Sequence, residues 1–144
     1  MLNISGRYEL DRTRSESLYN HMRALGCDDI AALASEKLII TLDIVQTGTS
    51  LTINQSSQLG ETTRVLRLDG TETSEGEGRK AIVTLAPATL HIETRFNKGK
   101  LSDTRTLEDD VMSQVLELTI KGATTPPIVT RRYMKRQGPP QIEA

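Results

Sequence analysis

Cysteine and aromatic residues are scarce in this sequence. Its 144 residues include one cysteine, one phenylalanine, three tyrosines and no tryptophan. A single cysteine, Cys27, excludes an internal disulfide and a cysteine-based structural zinc site. With so few rings available, the side chains that fill a core or line a cavity must be mostly aliphatic.

Long apolar runs and an excess of one charge are missing as well. No stretch approaches the roughly 18 apolar residues that a membrane span needs, and residues 1–7 lack the basic and apolar pattern of a secretion signal. The 18 basic residues nearly balance the 19 acidic ones, so a nucleic-acid partner is not expected. We therefore expect a cytoplasmic protein, and its length suits one domain.

Two short helices are predicted between residues 13 and 35. Thr13 and Glu16 have the spacing of a capping box, which predicts that a helix begins there, and an apolar stripe then continues to Leu25. Gly26 suits the left-handed end of that helix. Asp28 or Asp29 can cap a second helix over residues 30–35.

From residue 37 onward the apolar period changes to two, and turn residues recur every 8 to 12 positions. This pattern is typical of a meander of antiparallel strands. Including one strand before the helices, we predict ten strands, at 5–12, 37–46, 50–55, 62–68, 71–74, 79–85, 90–96, 101–107, 113–121 and 128–136.

These elements predict a mainly β fold, a ten-stranded antiparallel up-and-down β-barrel with a helix-turn-helix lid at about 13–35. A single domain is expected over residues 1–136. The prolines at 139 and 140 have no amide hydrogen to extend a strand, so residues 137–144 are predicted to be a flexible tail.

Several short motifs fit one known family. They are the start at 6–8, the helix end at 23–26, the strand opening at 78–80, the segment 105–110 and the closing Arg-Arg-Tyr at 131–133. With the element order, this layout resembles the intracellular lipid-binding proteins, the fatty-acid-binding and retinoid-binding family of the calycin superfamily, over roughly residues 5–136.

The resemblance implies a receptor for a ligand carboxylate made by Arg105, Arg131 and Tyr133. Strand parity allows it, because residues two apart share a face, and Arg132 then lies on the opposite side. Two guanidinium groups and a phenol suit an acid head group, and Asp103 is a possible internal counter-ion. The alternative is that these arginines lie on the outer face of the barrel.

Aliphatic residues of the predicted inner faces would line a cavity for an apolar chain, although a packed interior stays open as an alternative. The helix residues Ile30 and Leu33 are expected at the portal. The predicted lining comprises Leu38, Ile40, Leu42, Ile53, Val65, Ile82, Leu90, Ile92, Phe96, Leu116, Leu118 and Ile120.

The sequence thus favours an intracellular carrier of a hydrophobic carboxylate, most simply a long-chain fatty acid, without catalysis. No cofactor or metal is expected, because His21 and His91 lie on different elements with no third ligand at a suitable spacing. We expect a monomer, with weak or no membrane-surface contact because the second helix has no basic residue. A structural or stress-protective barrel and a retinoid binder are the alternatives. An enzyme would need Asp103, Glu93 or His91 to face the cavity.

Overall fold

Alternating apolar residues form ten antiparallel strands in the computed structural model, which describes residues 2–141. Along the sheet the order is β4-β3-β2-β1-β10-β9-β8-β7-β6-β5, which confirms the up-and-down barrel. The strands are β1 Gly6–Leu10, β2 Thr41–Gln46, β3 Ser50–Ser57, β4 Gly60–Arg67, β5 Thr73–Gly76, β6 Arg79–Leu85, β7 Leu90–Phe96, β8 Gly99–Glu108, β9 Val111–Ile120 and β10 Ile128–Gly138.

The lid consists of α1, Tyr19–Ala24, and α2, Asp29–Ala34, followed by a single 3-10 turn, Ser35–Lys37. The prediction for α2 is confirmed, because the side chain of Asp28 accepts a hydrogen bond from the Ala31 amide at 2.7 Å. The 3-10 turn explains why β2 begins at residue 41 rather than 37. Within residues 2–141, neither helix is long and apolar enough to cross a membrane.

The predicted capping box at Thr13 is wrong, because residues 12–14 form a turn and residues 11 and 16 bond to β10 instead of starting a helix. The amides of Asp11 and Glu16 each donate to carbonyl groups of β10 at 2.8 Å. The Glu16 carboxylate accepts from the Arg131 amide at 2.6 Å. Thr13 donates its hydroxyl to Asp11 at 2.7 Å. Both cap residues are thus engaged elsewhere, and α1 begins only at residue 19.

The end of the barrel opposite the lid is filled with apolar side chains around Tyr8. Its ring is fully buried, and its hydroxyl donates to the Ile4 carbonyl at 2.9 Å. Arg136 covers the ring and donates to the same hydroxyl at 3.2 Å. Burying this aromatic ring and its aliphatic neighbours removes apolar surface from water and is the main stabilising contribution at this end.

The barrel is nearly closed, with β4 and β5 as the two edges of the sheet. Arg64 of β4 donates two hydrogen bonds to the Glu75 carboxylate of β5, at 2.8 and 2.7 Å, and a third to Thr94 at 3.2 Å. Such paired bonds between a guanidinium and a carboxylate are strong and directional. This ion pair therefore joins the edges across the seam.

The last strand continues to Gly138, beyond the predicted end at residue 136. Farther on, the Gln141 amide donates to Asp43 at 2.9 Å, and Arg7 donates to the Gln141 side chain at 2.9 Å. Within the predicted tail, residues 137 and 138 therefore belong to β10, and Gln141 contacts the outer wall of β1 and β2. Residues 142–144 of that tail lie outside the described residues.

Candidate functional site

Three neighbouring strands place Arg105, Gln114 and Arg132 in one row on the inner face of the barrel. Arg105 pairs with Gln114 across β8 and β9, and Gln114 pairs with Arg132 across β9 and β10. Residues paired in this way have Cβ atoms about 4.5–5.5 Å apart. Arg105 is 4% exposed and Arg132 is 8% exposed. The fold therefore holds two guanidinium groups inside the barrel.

Asp103 is the carboxylate that partly neutralises this row. It accepts hydrogen bonds from Arg105 Nε at 3.2 Å and Nη2 at 3.0 Å, and from Gln114 Nε2 at 3.1 Å. The sequence-based prediction of Asp103 as an internal counter-ion is confirmed. We call Asp103, Arg105, Gln114 and Arg132 the arginine cluster, and its two guanidiniums and one carboxylate leave one excess positive charge.

The arginine cluster also has free hydrogen-bonding atoms. Within residues 2–141, Arg105 Nη1, Gln114 Oε1 and Arg132 Nε have no partner. The pKa of Arg132 is lowered to about 10, mainly by burial and also by the charge of Arg105, while Asp103 acts in the opposite direction. A buried guanidinium without a full set of partners is costly. An anion placed here would supply both charge and acceptors.

His21 is the buried residue of α1 in the lid, and within the described part of the chain its Nδ1 atom has no hydrogen-bond partner. Burial lowers the pKa of His21, and the positive charge of Arg132 acts in the same direction. Sequence reasoning considered His21 only as a metal ligand. Its position three residues after Leu18, on the apolar stripe of α1, was the signal for an inward side chain.

A cleft of about 440 Å³ leads from the surface to Arg132. One hydrogen bond, from Ser17 Oγ to Glu36 Oε1 at 2.7 Å, joins two of its lining residues. Arg12, another lining residue, donates to the Glu36 carbonyl at 3.0 Å. We call this opening the side cleft, and its lining comprises Leu10, Arg12, Thr13, Ser15, Glu16, Ser17, Leu18, Ser35, Glu36 and Arg132.

The predicted carboxylate receptor of Arg105, Arg131 and Tyr133 needs correction, because the structure shows which side chains of β10 face inward. Arg105 lies inside, but Arg131 is exposed and Tyr133 is half-buried on the outer face, with the Arg14 guanidinium 4.3 Å from the centre of its ring. Thr130, Arg132 and Met134 face inward instead. Because the side chains of a strand alternate, one fixed position decides all the others. The inward arginine of β10 is Arg132.

Two residues of the predicted cavity lining also lie on the outer face. Val65 is 58% exposed, and Ile82 pairs with Glu93 on the outside of β6 and β7. Their sequence neighbours occupy the interior positions. Of the remaining lining residues, Leu38 is half-buried against the core, and Ile40 is buried just before β2. The others occupy inward positions on their strands: Leu42, Ile53, Leu90, Ile92, Phe96, Leu116, Leu118 and Ile120.

The predicted portal residues Ile30 and Leu33 point to solvent, with exposed fractions of 81% and 49%. The buried residue of α2 is Ala32. The period of the helix explains this, because in a six-residue helix only one narrow face can contact the barrel. Ile30 and Leu33 therefore do not line the cavity, and their place at a portal stays a prediction.

The residues that an enzyme would need are occupied or point outward. Asp103 faces inward but is bound by Arg105 and Gln114. His91 Nδ1 lies 3.0 Å from the Thr104 hydroxyl on the outer face, and Glu93 contacts Arg95 and Lys100 at the surface.

The sequence did not predict the roles of Gln114, Arg132 and the seam pair of Arg64 and Glu75. Polar residues at inward positions disguise the alternation of apolar and polar side chains along a strand.

Solved structures share this fold over nearly the whole chain. Fatty-acid-binding protein 1 of Echinococcus granulosus has a TM-score of 0.78 and 14% identity, covering 94% of this chain and 98% of its own. Lipid binding protein 8 of Caenorhabditis elegans has a TM-score of 0.77 and 17% identity, covering 95% and 99%. The fatty-acid-binding protein of Drosophila melanogaster brain tissue has a TM-score of 0.71 and 24% identity, covering 92% and 99%.

No family model and no curated protein sequence matches the chain. At these identities the likeness to solved structures establishes the fold. The resemblance inferred from the sequence motifs is confirmed at that level, and the chain has the barrel and lid of the fatty-acid-binding proteins.

Proposed function

We propose that this barrel binds a hydrophobic carboxylate, in the form of a long-chain fatty acid, with the acid group between Arg132 and Arg105. The observation that carries this proposal is the excess positive charge of the buried arginine cluster, together with its free donor atoms. A planar guanidinium matches the two oxygens of a carboxylate, and bound anion would relieve the unpaired charge.

The apolar chain of the ligand would extend from the arginine cluster toward the lid. The next inward rows toward that end contain Leu116, Leu118 and Phe96. The β7–β8 turn marks the lid end, because Lys98 donates to the Leu25 carbonyl of the helical lid at 2.6 Å. Each methylene buried against such a wall contributes about 0.8 kcal/mol before ordering costs.

The role that follows is a carrier: a monomeric protein of the cytoplasm that buffers and moves such an acid without changing it. The pairing of Asp103 with Arg105 supports binding over catalysis, because the guanidinium already occupies both oxygens of this carboxylate. Three proteins of known structure that share the fold are named for fatty-acid or lipid binding, which supports the same role.

The experiment compares ligands that differ only in the head group. Delipidated protein is loaded with a fluorescent fatty-acid analogue, which is then displaced with palmitic acid, the alcohol of the same chain length, or retinoic acid. We expect palmitic acid to bind more tightly than the alcohol by about 1.5–3 kcal/mol, the contribution of hydrogen bonds to charged groups. Equal displacement by acid and alcohol, or failure of every ligand to bind, contradicts the proposal.

Native mass spectrometry of freshly purified protein then identifies what the barrel carries. A mass increment that disappears on delipidation and matches a fatty acid supports the proposed ligand. An increment matching a retinoid acid keeps the carboxylate site and replaces the fatty acid. An increment matching a neutral lipid contradicts the head-group assignment.

A further inference from the structure

We infer that the side cleft is the route by which the acid head group reaches Arg132, with Glu36 as the latch of that route. This inference rests on the proposed function, because it concerns how the same ligand enters and leaves. It places the entrance between the segment 10–18 and the end of the lid at 35–36, rather than beside the exposed residues of α2.

The inner end of the side cleft is the first support. Arg132 is nine-tenths buried within the barrel and also belongs to the lining of the cleft. Its Nε atom has no partner among the described residues. The site that needs an anion is therefore the site at which this opening ends.

The size and polarity of the opening are the second support. Its volume of about 440 Å³ falls within the range of roughly 300–1,000 Å³ that is usual for small-molecule sites. Apart from Leu10 and Leu18, the lining residues are polar or charged. A carboxylate that moves along such a wall exchanges water for protein hydrogen bonds, which lowers the penalty of desolvation.

The latch is itself a carboxylate. Glu36 accepts the Ser17 hydroxyl at 2.7 Å and thereby ties the segment before α1 to the end of the lid. An incoming acid offers the same acceptor group and can exchange with Glu36 at Ser17. Glu36 is exposed, so this exchange takes place in water and requires little reorganisation.

The competing entrance lies at α2, whose exposed residue Ile30 is 81% accessible. Two single-cysteine proteins separate the routes, Ser17→Cys and Ile30→Cys, each in a Cys27→Ser background. After folding, each cysteine is blocked with the same bulky maleimide. Stopped-flow fluorescence then measures the association rate of the fatty-acid analogue, with the same cysteine variant before blocking as the reference for each blocked protein.

We expect the block at Ser17 to slow association by about tenfold or more and the block at Ile30 to leave it near the reference rate. Equal rates in both blocked proteins, or a larger effect at Ile30, overturn the route. Absence of binding in the unblocked reference overturns the proposed function itself, so the two failures are distinguishable.

A second variant tests the latch without any added group. Glu36→Ala leaves Ser17 without its acceptor, so we expect the association and dissociation rates to rise by similar factors while the Kd stays nearly constant. Unchanged rates in folded Glu36→Ala protein, checked by circular dichroism, overturn the role of Glu36. A changed Kd with an unchanged association rate does the same, because it shows an effect on the bound state alone.

Discussion

Arg131 and Arg132 are consecutive in β10 and lie on opposite faces of the barrel wall. Arg132 is 8% exposed and faces Gln114 in the interior, whereas Arg131 is exposed to solvent. The pair therefore offers the same side chain in two environments, one desolvated and one in water. Any effect of charge inside the barrel should appear at Arg132 and be absent at Arg131.

Arg132→Met should weaken ligand binding and stabilise the ligand-free protein. Its affinity for palmitic acid should fall by about 1.5–3 kcal/mol. Replacing a poorly paired buried charge by an apolar side chain should raise the free energy of unfolding, by up to about 4 kcal/mol. Calorimetric titration and urea denaturation measure the two effects.

Arg131→Met is the matched control for that variant, and both quantities should stay near those of the unmodified protein. A loss of stability in Arg132→Met would show that the guanidinium is a structural element of the barrel. Equal affinities for the two variants would remove Arg132 from the site.

The ion pair of Arg64 and Glu75 should stabilise the seam between β4 and β5. Arg64→Met leaves the largely buried Glu75 carboxylate without its partner, so the free energy of unfolding should fall by about 1–3 kcal/mol. Hydrogen exchange of β4 and β5 amides should quicken more than that of β8 and β9. Uniform exchange rates across the sheet would contradict a local role.

Arg95→Met is the control for the seam, since Arg95 also contacts a glutamate but its side chain is 72% exposed. Its effect on the free energy of unfolding should stay below about 1 kcal/mol.

Arg64 lowers the pKa of Glu75 below its ordinary value of 4.5. The stability due to the pair should therefore be complete above pH 4.5 and be lost as the pH falls below it, so the difference between unmodified protein and Arg64→Met should shrink in acid.

The strands could be predicted from the sequence because turn chemistry and alternation agree. The bounds of β6 and β7 match the expected ranges, and the turn at Asn97 and Lys98 separates β7 from β8. Which face of β10 points into the barrel could not be predicted in the same way, because each face carries an arginine and an apolar residue. Lys135 and Gln137 on the face of Arg131 were the available signal that this face meets solvent.

The lid shows a second limit of local reasoning. Thr13 and Glu16 have the spacing of a helix start, but the Glu16 amide donates to the Arg131 carbonyl of β10 and the Glu16 carboxylate accepts from the Arg131 amide. Such tertiary partners are invisible in a local pattern. The arginine cluster could not be predicted for the same reason. Its members come from β8, β9 and β10, and only the strand register shows that they are neighbours.

The buried His21 should make the fold sensitive to mild acid. Burial and then Arg132 lower the pKa of His21 below its ordinary value of 6.5. The unfolded chain therefore takes up a proton before the folded protein does, and stability should be lost as the pH falls below 6.5. Thermal unfolding between pH 7.5 and 5.5 should show a falling Tm in the unmodified protein and a smaller fall in His21→Gln.

His91→Gln is the control for this experiment, because His91 is the second of the two histidines and lies on the outer face near Thr104. It should keep the acid sensitivity of the unmodified protein. If His21→Gln has the same dependence on pH as the other two proteins, His21 is not the group that titrates.

Gly99 should be the glycine least tolerant of a side chain, because an added Cβ atom there would meet the backbone of β9. A Cβ atom at Gly99 would overlap the Thr119 carbonyl oxygen, which belongs to the backbone of β9. Gly99→Ala should therefore separate the two strands and lower the free energy of unfolding by about 1–3 kcal/mol or more. Gly48→Ala is the control, since a Cβ atom there meets nothing within 4 Å, and its effect should stay within about 0.5 kcal/mol. Urea denaturation measures the free energy of unfolding of both variants. Equal values would mean that β8 and β9 can move apart at this point without loss of stability.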